Sequence, residues 1–279
     1  MRVPAARLLF VADTHLSKRA PEANANWSAV ARYAAETRPD LVIHLGDVTL
    51  DGARAQDDIR HARAWLDLVD VPWRAVPGNH DVGDNPWPGA PDHTTIDGPR
   101  RQRWLDTIGA DWWSVHLGSW TLLAINAQLL GTNSGAELEQ WNWLRGRCEA
   151  IGDRHVAFVT HKPLTVDDDE LSAAPAYRFI PPHARARLET VLDPLDAPIV
   201  FSGHVHQARD LTIGIRRHVW APTTWATLPE DVQPTLGQKR CGALSVSLRD
   251  DGHVDVAVVE PPGVEQFTLG RDIADPYVH

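Results

Sequence analysis

The sequence predicts an α/β protein in which helices cover the faces of β-sheets. Short apolar runs rich in β-branched residues alternate with segments of 3.6-residue hydrophobic periodicity, the pattern of buried strands and amphipathic helices. After residue 206 the pattern changes to strands alone, which indicates β-hairpins. Strand–helix alternation followed by hairpins is typical of an α/β sandwich.

The individual elements follow from these two patterns. Buried strands are predicted at Leu8–Ala12, Leu41–Leu45, Trp73–Val76, Val156–Thr160 and Ile199–Ser202. Amphipathic helices are predicted at Trp27–Thr37, Ala55–Val69, Glu137–Cys148 and Ala184–Leu192. The remaining strands are predicted at Trp112–His116 and Trp120–Asn126, which form a hairpin, and at Asp210–Trp220, Ala243–Leu248 and Val254–Val259.

The chain is predicted to form one domain over residues 1–279. The chemical motifs occupy residues 8–207, a β-rich part follows at 208–260, and 261–279 form a tail. Two irregular stretches rich in Pro, Gly and Asp, Val82–Pro99 and Leu164–Pro182, are long enough to be binding loops. The acidic run Asp167–Glu170 in the second stretch is interpreted as a solvated loop rather than a further metal site.

Composition excludes several classes of protein. The 27 basic and 37 acidic residues leave a formal charge of −10, which disfavours long nucleic acids as partners. No apolar stretch approaches the roughly 20 residues of a membrane span, and the first apolar run is too short for a signal peptide. We therefore expect a soluble, cytoplasmic protein without membrane contact. The oligomeric state is left open, with a homo-oligomer among the alternatives.

Five short motifs stand where predicted strands end. Because ligand sites of α/β sheets lie at the carboxyl ends of the strands, these motifs are expected to meet at one rim. Each motif alone is commonplace, since Asp13 could be a cap and Asp47 a turn residue, but their conjunction at five strand ends is not. The motifs are Asp13-Thr-His15, Gly46-Asp47, Gly78-Asn-His-Asp81, Thr160-His161 and Gly203-His-Val-His206.

The side chains of these motifs suit a pair of metal ions. Imidazole and carboxylate ligands without thiolate favour zinc, iron or manganese over a structural zinc site. Seven ligands are enough for two ions if one carboxylate bridges them, and Asp47 is the natural bridge because it has two oxygens. Paired metals clamp the attacking and leaving oxygens of a displacement at phosphorus.

In this order and spacing, the motifs resemble the calcineurin-like metallophosphoesterase superfamily. The resemblance runs from about Leu8 to Gln207 and is looser from Ala208 to Val259. It implies a four-layer αββα sandwich with a dinuclear site at the carboxyl ends of the strands. It also implies two divalent or mixed-valence ions of iron, manganese or zinc. The implied ligands are Asp13, His15, Asp47 and His206 for the first ion, and Asp47, Asn79, His161 and His204 for the second.

The resemblance also implies two catalytic residues that are not ligands. His80 would stabilise the phosphoryl group or protonate the leaving oxygen, and Asp81 would orient His80 or a ligand. The motifs Asp13–Leu16, Pro77–Asp81 and Gly203–Gln207, with Ala221–Thr224, are most similar to the cyclic-nucleotide and glycerophosphodiester phosphodiesterase branch.

The expected function is hydrolysis of a small phosphodiester by in-line attack of metal-bound hydroxide. A phosphomonoesterase or pyrophosphatase with the same two-metal site is the nearest alternative, and a non-catalytic scaffold or a nuclease is less favoured. The expected partner is a small phosphate ester. Trp27 and Trp87 lie near the motif loops and are candidates for stacking on a nucleobase or another flat group.

Overall fold

Strands and helices were assigned in a computed structural model that describes residues 5–87, 90–164, 176–195 and 198–276. The first sheet has five strands in the order β11-β10-β1-β2-β3. β1, β2 and β3 run parallel to one another, whereas β10 is antiparallel to both β1 and β11. The strands are β1 Ala6–Val11, β2 Leu41–His44, β3 Trp73–Ala75, β10 Ala243–Leu248 and β11 Val254–Val259.

The second sheet has six strands in the order β4-β5-β6-β7-β9-β8. Its central strands β5, β6, β7 and β9 are parallel, and the outer strands β4 and β8 close the sheet as antiparallel edges. The strands are β4 Trp113–Leu117, β5 Trp120–Ala124, β6 His155–Val159, β7 Ile199–Ser202, β8 Arg209–Ile213 and β9 Arg216–Trp220.

Helices cover the outer face of each sheet. α1, α2 and α4 pack on the first sheet through one apolar cluster, and α5 and α6 pack on the second through another. The two inner faces pack directly on each other. This arrangement is the four-layer αββα sandwich that the motifs imply. The helices are α1 Pro21–Thr37, α2 Gln56–Leu66, α3 Asn79–Val82, α4 Gly98–Thr107, α5 Gly135–Glu149 and α6 Pro182–Leu192.

The core between the sheets is made by alternate residues of the strands. Phe10 of β1 and Phe201 of β7 stack across it with ring centroids 4.2 Å apart, and neither ring is accessible to solvent. Leu8, Ile43 and Val159 belong to the same cluster. Because most strands of both sheets contribute residues to this layer, the two sheets hold their strand ends in a defined relative position.

The predicted elements differ most from the structure at three places. The helix predicted at Trp27–Thr37 begins six residues earlier, at Pro21. Asp210–Trp220 is not one strand but the hairpin β8–β9, because Gly214 adopts φ +61° and reverses the chain. The irregular stretch Val82–Pro99 is followed by an unpredicted helix, α4, whose only buried side chain is that of Trp104. A helix with so narrow an apolar face shows little periodicity, and its start is set by the Asp97 carboxylate, which accepts from the amide of Arg100.

Two further observations concern membrane spans and the acidic run in the second irregular stretch. No helix of the described ranges has the length and apolar character needed to cross a bilayer. The acidic run Asp167–Glu170 lies outside the described residues.

The stacked phenylalanines provide a test of the core. Phe10→Ala should lower the free energy of unfolding by about 3–5 kcal/mol, because it removes a buried ring and leaves a cavity beside Phe201. Urea denaturation followed by circular dichroism measures this change. Leu138→Ala on α5 is the control: its side chain is 57% exposed, so a change within about 0.5 kcal/mol is expected. Equal losses in the two variants would contradict the assignment of the core.

Candidate metal centre

The predicted ligands converge where the parallel strands of both sheets end. Two groups form there, and within each group the ligand atoms lie within 4.8 Å of one another. All six side chains are buried. Loops after β1 and β7 supply the first group, and loops after β2, β6 and β7 supply the second. The first group is Asp13, His15 and His206, and the second is Asp47, His161 and His204.

The remaining predicted ligand and the predicted bridge also lie at this position. Asn79, the first residue of α3, places its Oδ1 3.3 Å from His161 Nε2. Asp47 Oδ2 lies 3.3 Å from His161 Nε2 and 4.0 Å from His15 Nε2, so the carboxylate sits between the two groups. The structure therefore brings all seven predicted ligands together, with Asp47 between the two groups.

Backbone carbonyls orient two of the imidazoles. His161 Nδ1 donates to Leu45 O at 2.8 Å, and His206 Nδ1 donates to Ala226 O at 2.6 Å. A carbonyl can only accept, so Nδ1 carries the proton and Nε2 is left as the ligand atom. His206 Nε2 accordingly faces His15 Nε2 at 3.3 Å. Two imidazole nitrogens directed at each other fit a cation that both can bind.

Five of the ligands have left-handed backbone conformations. The φ values are 53° for Asp13, 47° for His15, 52° for Asp47, 69° for His204 and 52° for His206. Each such residue costs roughly 1–2 kcal/mol, and strain of this kind concentrates at functional sites. Hydrogen bonds between the loops offset it. The amide of His204 donates to both carboxylate oxygens of Asp13, at 3.1 and 3.0 Å, and the amide of His80 donates to Asp47 Oδ1 at 2.8 Å.

Burial keeps most of the histidines neutral. It is the main cause that lowers the pKa of His206 to about 4 and the pKa values of His15 and His204 well below their usual range. A neutral imidazole has a lone pair for a metal. Both ring nitrogens of His204 are buried and have no hydrogen-bond partner among the described residues, which is costly for a polar group unless a cation completes the site.

The pKa values of the two carboxylates Asp13 and Asp47 shift in opposite directions. Burial raises the pKa of Asp13 well above its usual range, with the charge of His161 opposing the shift. Burial also disfavours the charged form of Asp47, but His161 and His80 outweigh it and hold the Asp47 pKa well below its usual range. The same interaction raises the pKa of His161 to about 9 against the effect of burial. A cation beside these carboxylates would favour their charged forms.

His80 and Asn79 are the half-exposed members of the site. They border a cleft of about 440 Å³ whose walls also include Arg54, Trp87 and Tyr177. His80 Nδ1 donates to Leu50 O at 3.0 Å, which holds the ring at the border of the cleft. The position agrees with a residue that contacts substrate and is not a ligand.

Asp81 was predicted to orient His80 or a ligand, and its hydrogen bonds lie around the proposed ligand Asp47. It is fully buried, and its carboxylate accepts hydrogen bonds from the amides of Val48, Thr49 and Gly78 and from the Thr49 hydroxyl, all at 2.8–3.1 Å. Burial raises its pKa to about 6, and these hydrogen bonds oppose the shift. Asp81 therefore positions the backbone around the ligand Asp47.

Lys162 was not identified from the sequence, and Trp27 was identified as a candidate that the structure does not support. Lys162, directly after His161, is fully buried and donates to Asp84 Oδ1, Asn85 Oδ1 and Tyr177 O, each at 2.6 Å. A lysine at a strand end carries no motif signal, and its partners are distant in sequence. Trp27 was expected near the substrate, but its ring is buried and donates to Trp65 O, so it cannot stack on a ligand.

Comparisons with known proteins agree with this geometry. The family model for calcineurin-like phosphoesterases matches residues 6–208. A comparison with curated proteins gives no match. A dimetal phosphatase from Danio rerio is similar in structure, with a TM-score of 0.64 and 14% identity over 93% of this chain and 100% of that one.

Two other solved structures share the architecture. Purple acid phosphatase PPD1 from yellow lupin (Lupinus luteus) seeds has a TM-score of 0.64 and 15% identity over 97% of this chain and 56% of that longer one. Phosphopantetheinyl hydrolase from Mycobacterium tuberculosis has a TM-score of 0.50 and 16% identity over 80% of this chain and 92% of that one. At these identities the likeness concerns the fold alone.

Gly78 provides a test of the centre at a residue that is not a ligand. A methyl group on its Cα would overlap the carboxylate and the amide nitrogen of Asp47. Gly78→Ala should therefore reduce the metal retained after loading with manganese and dialysis, measured by elemental analysis. Gly146→Ala on α5 is the matched control, since a methyl group there meets no atom within 4 Å. The control should keep its metal and gain about 0.5–1 kcal/mol of stability. Equal metal content in both variants would refute this placement of Asp47.

Proposed function

Because the chain belongs to the calcineurin-like phosphoesterase family, we propose that it hydrolyses a small phosphodiester of the cyclic-nucleotide or glycerophosphodiester kind. The family match supports metal-dependent hydrolysis of a phosphoric ester. The diester preference is the proposed part. The observation that carries the proposal of hydrolysis is the pair of buried ligand groups with Asp47 between them. These groups are bordered by His80 and an open cleft.

We assign the ligands of the two ions from the two groups. The first ion would be held by Asp13, His15, Asp47 and His206. The second ion would be held by Asp47, Asn79, His161 and His204. Two cations at this position supply Lewis acidity toward a phosphoryl oxygen and lower the pKa of a water molecule. The nitrogen and oxygen donors suit iron, manganese or zinc, and the absence of thiolate argues against a purely structural site.

The chain itself positions the ester and assists the leaving group. His80, held by Leu50 O, lines the cleft, and we propose that its imidazole donates a proton to the departing alcohol oxygen. The adjoining cleft of about 440 Å³ provides room for the second substituent of a diester. The formal charge of −10 disfavours extended nucleic acids, so the proposed substrate is a small molecule.

A paired assay tests the preference for diesters. Bis(p-nitrophenyl) phosphate and p-nitrophenyl phosphate release the same product and differ only in the second substituent. Protein reconstituted with manganese, zinc or iron should hydrolyse the diester with the higher kcat/KM, measured by the release of nitrophenolate. Asp47→Ala should abolish both activities, because it removes the bridge between the ions. Much faster turnover of the monoester would support the phosphomonoesterase alternative and reject the diester proposal.

A second test concerns the role of His80. His80→Asn should lower kcat by about 10²- to 10⁴-fold for a diester with an alkoxide leaving group, which needs a proton to depart. The loss should be much smaller for bis(p-nitrophenyl) phosphate, because nitrophenolate leaves without protonation. Comparing kcat for the two esters separates these effects, and metal content should equal that of the wild type. Equal losses for both esters would exclude proton donation by His80.

A further inference from the structure

One wall of the cleft beside the metal centre is aromatic. Trp87 and Tyr177 come from separate loops, and their ring centroids lie 5.4 Å apart with 31° between the ring planes. Both side chains line the cleft that begins at Asn79 and His80, and both are half-buried. The aromatic pair therefore faces the space next to the residue that we place at the leaving group.

These two rings do not serve the apolar core. Neither belongs to the apolar clusters formed among the described residues, whereas Trp27, Trp104 and Trp141 do. A tryptophan and a tyrosine in mutual contact that remain half-exposed leave a flat apolar surface in water. A planar ring laid on this surface would remove it from water and gain stacking interactions.

The position of the aromatic pair is enforced by a buried charge. Lys162 Nζ donates to Asp84 and Asn85, which precede Trp87 in the same loop, and to the carbonyl of Tyr177, each at 2.6 Å. Burial lowers the pKa of Lys162, and the charge of Asp84 opposes that shift. Burying an ammonium group is costly, but here three hydrogen bonds and one carboxylate offset it. Because Lys162 follows His161 directly, both aromatic loops are tied to the strand end that carries a proposed ligand.

A second contact fixes the orientation of the tyrosine. The guanidinium of Arg178 lies over the Tyr177 ring with Cζ 5.3 Å from its centroid, and Arg178 is itself buried. The Tyr177 ring is thus in contact with both Trp87 and Arg178. A stacking surface that is ordered before binding loses little conformational entropy when a ligand arrives.

We infer that Trp87 and Tyr177 form a stacking site for a planar ring in the alcohol part of the substrate. On this basis the enzyme prefers phosphate esters of ring-bearing alcohols, such as nucleosides, over esters of ring-free alcohols, such as glycerol. The inference rests on the proposed function, because it places the scissile phosphate at the metal centre and the alcohol in the cleft. It selects the nucleotide class from the two classes of diester proposed above.

The test compares two probes that differ only in the ring. Adenosine 5′-monophosphate and ribose 5-phosphate share the sugar and the phosphate, and they represent products of diester hydrolysis. Dissociation constants would be measured by titration calorimetry on manganese-loaded protein, with phosphate release followed in parallel. Stacking of one base changes affinity by about 5- to 150-fold. The wild type should therefore bind adenosine 5′-monophosphate more tightly than ribose 5-phosphate by a factor in this range.

Variants of the aromatic pair decide whether these residues are responsible. Trp87→Ala and Tyr177→Ala should each bring the ratio of the two dissociation constants close to one, whereas Trp87→Phe should retain most of the preference. Trp112→Ala is the matched control: Trp112 is also half-buried and lies under the guanidinium of Arg101, and it does not line the cleft. The control should show the wild-type ratio. Unchanged metal content and circular dichroism verify that each variant is folded.

Two results would overturn the inference: a wild-type ratio near one, or a wild-type ratio that persists in both alanine variants of the pair. Failure of the proposed function gives a different result. If the monoester were hydrolysed faster than the diester, the diester proposal would fall while the ratio of dissociation constants still reported on the stacking site. If the diester preference held but the ratio were near one, only the stacking site would be rejected.

Discussion

The carboxylate of Asp47 is the constraint on which the site depends. It lies between two groups of buried ligands, 3.3 Å from one imidazole and 4.0 Å from another. It also accepts the amide hydrogen of His80, so the same carboxylate places the residue proposed to protonate the leaving group. The neighbouring backbone is shaped around it, because Gly78 has no room for a side chain and Asp81 ties the surrounding amides together. A shift of Asp47 would therefore disturb both groups of proposed ligands and the position of His80 at once.

The αββα framework provides the rigidity that this arrangement requires. Parallel strands from two sheets end at the same rim, and the core between the sheets holds them in position through contacts such as Phe10 on Phe201. Backbone strain is concentrated at this rim, where five ligands adopt positive φ, and hydrogen bonds between loops of different strands offset it. The buried Lys162 extends the same rigidity outward to the loops that line the cleft. Polar interactions thus support both the loops that carry the proposed ligands and the loops that line the cleft.

Sequence patterns predicted the parts of the molecule whose physical signals are local. The buried strands were located because a strand covered on both faces is an uninterrupted apolar run, as at Leu41–His44. The hairpin β4–β5 was predicted from the turn between its strands. The helix α4 was missed because it buries little, and the hairpin β8–β9 was read as one strand because Gly214 was not recognised as a reversal. In both cases the local hydrophobic pattern was too weak to show where the element begins or ends.

The candidate site shows the same division. The order and spacing of the motifs were sufficient to propose two metals, because each motif follows a strand and the carboxyl ends of parallel strands meet. The motif residues concerned include Asp13, Asp47, Asn79, His161 and His206. The sequence by itself determined the fold class, the proposed ligands and the family. Only the tertiary structure showed that Asp47 lies between the two groups and that Asp81 braces the backbone. It also showed that Trp27 is buried and that Trp87 contacts Tyr177 beside the cleft. These facts depend on contacts between residues far apart in the chain. A local pattern of residues does not determine which distant loops line the same cleft.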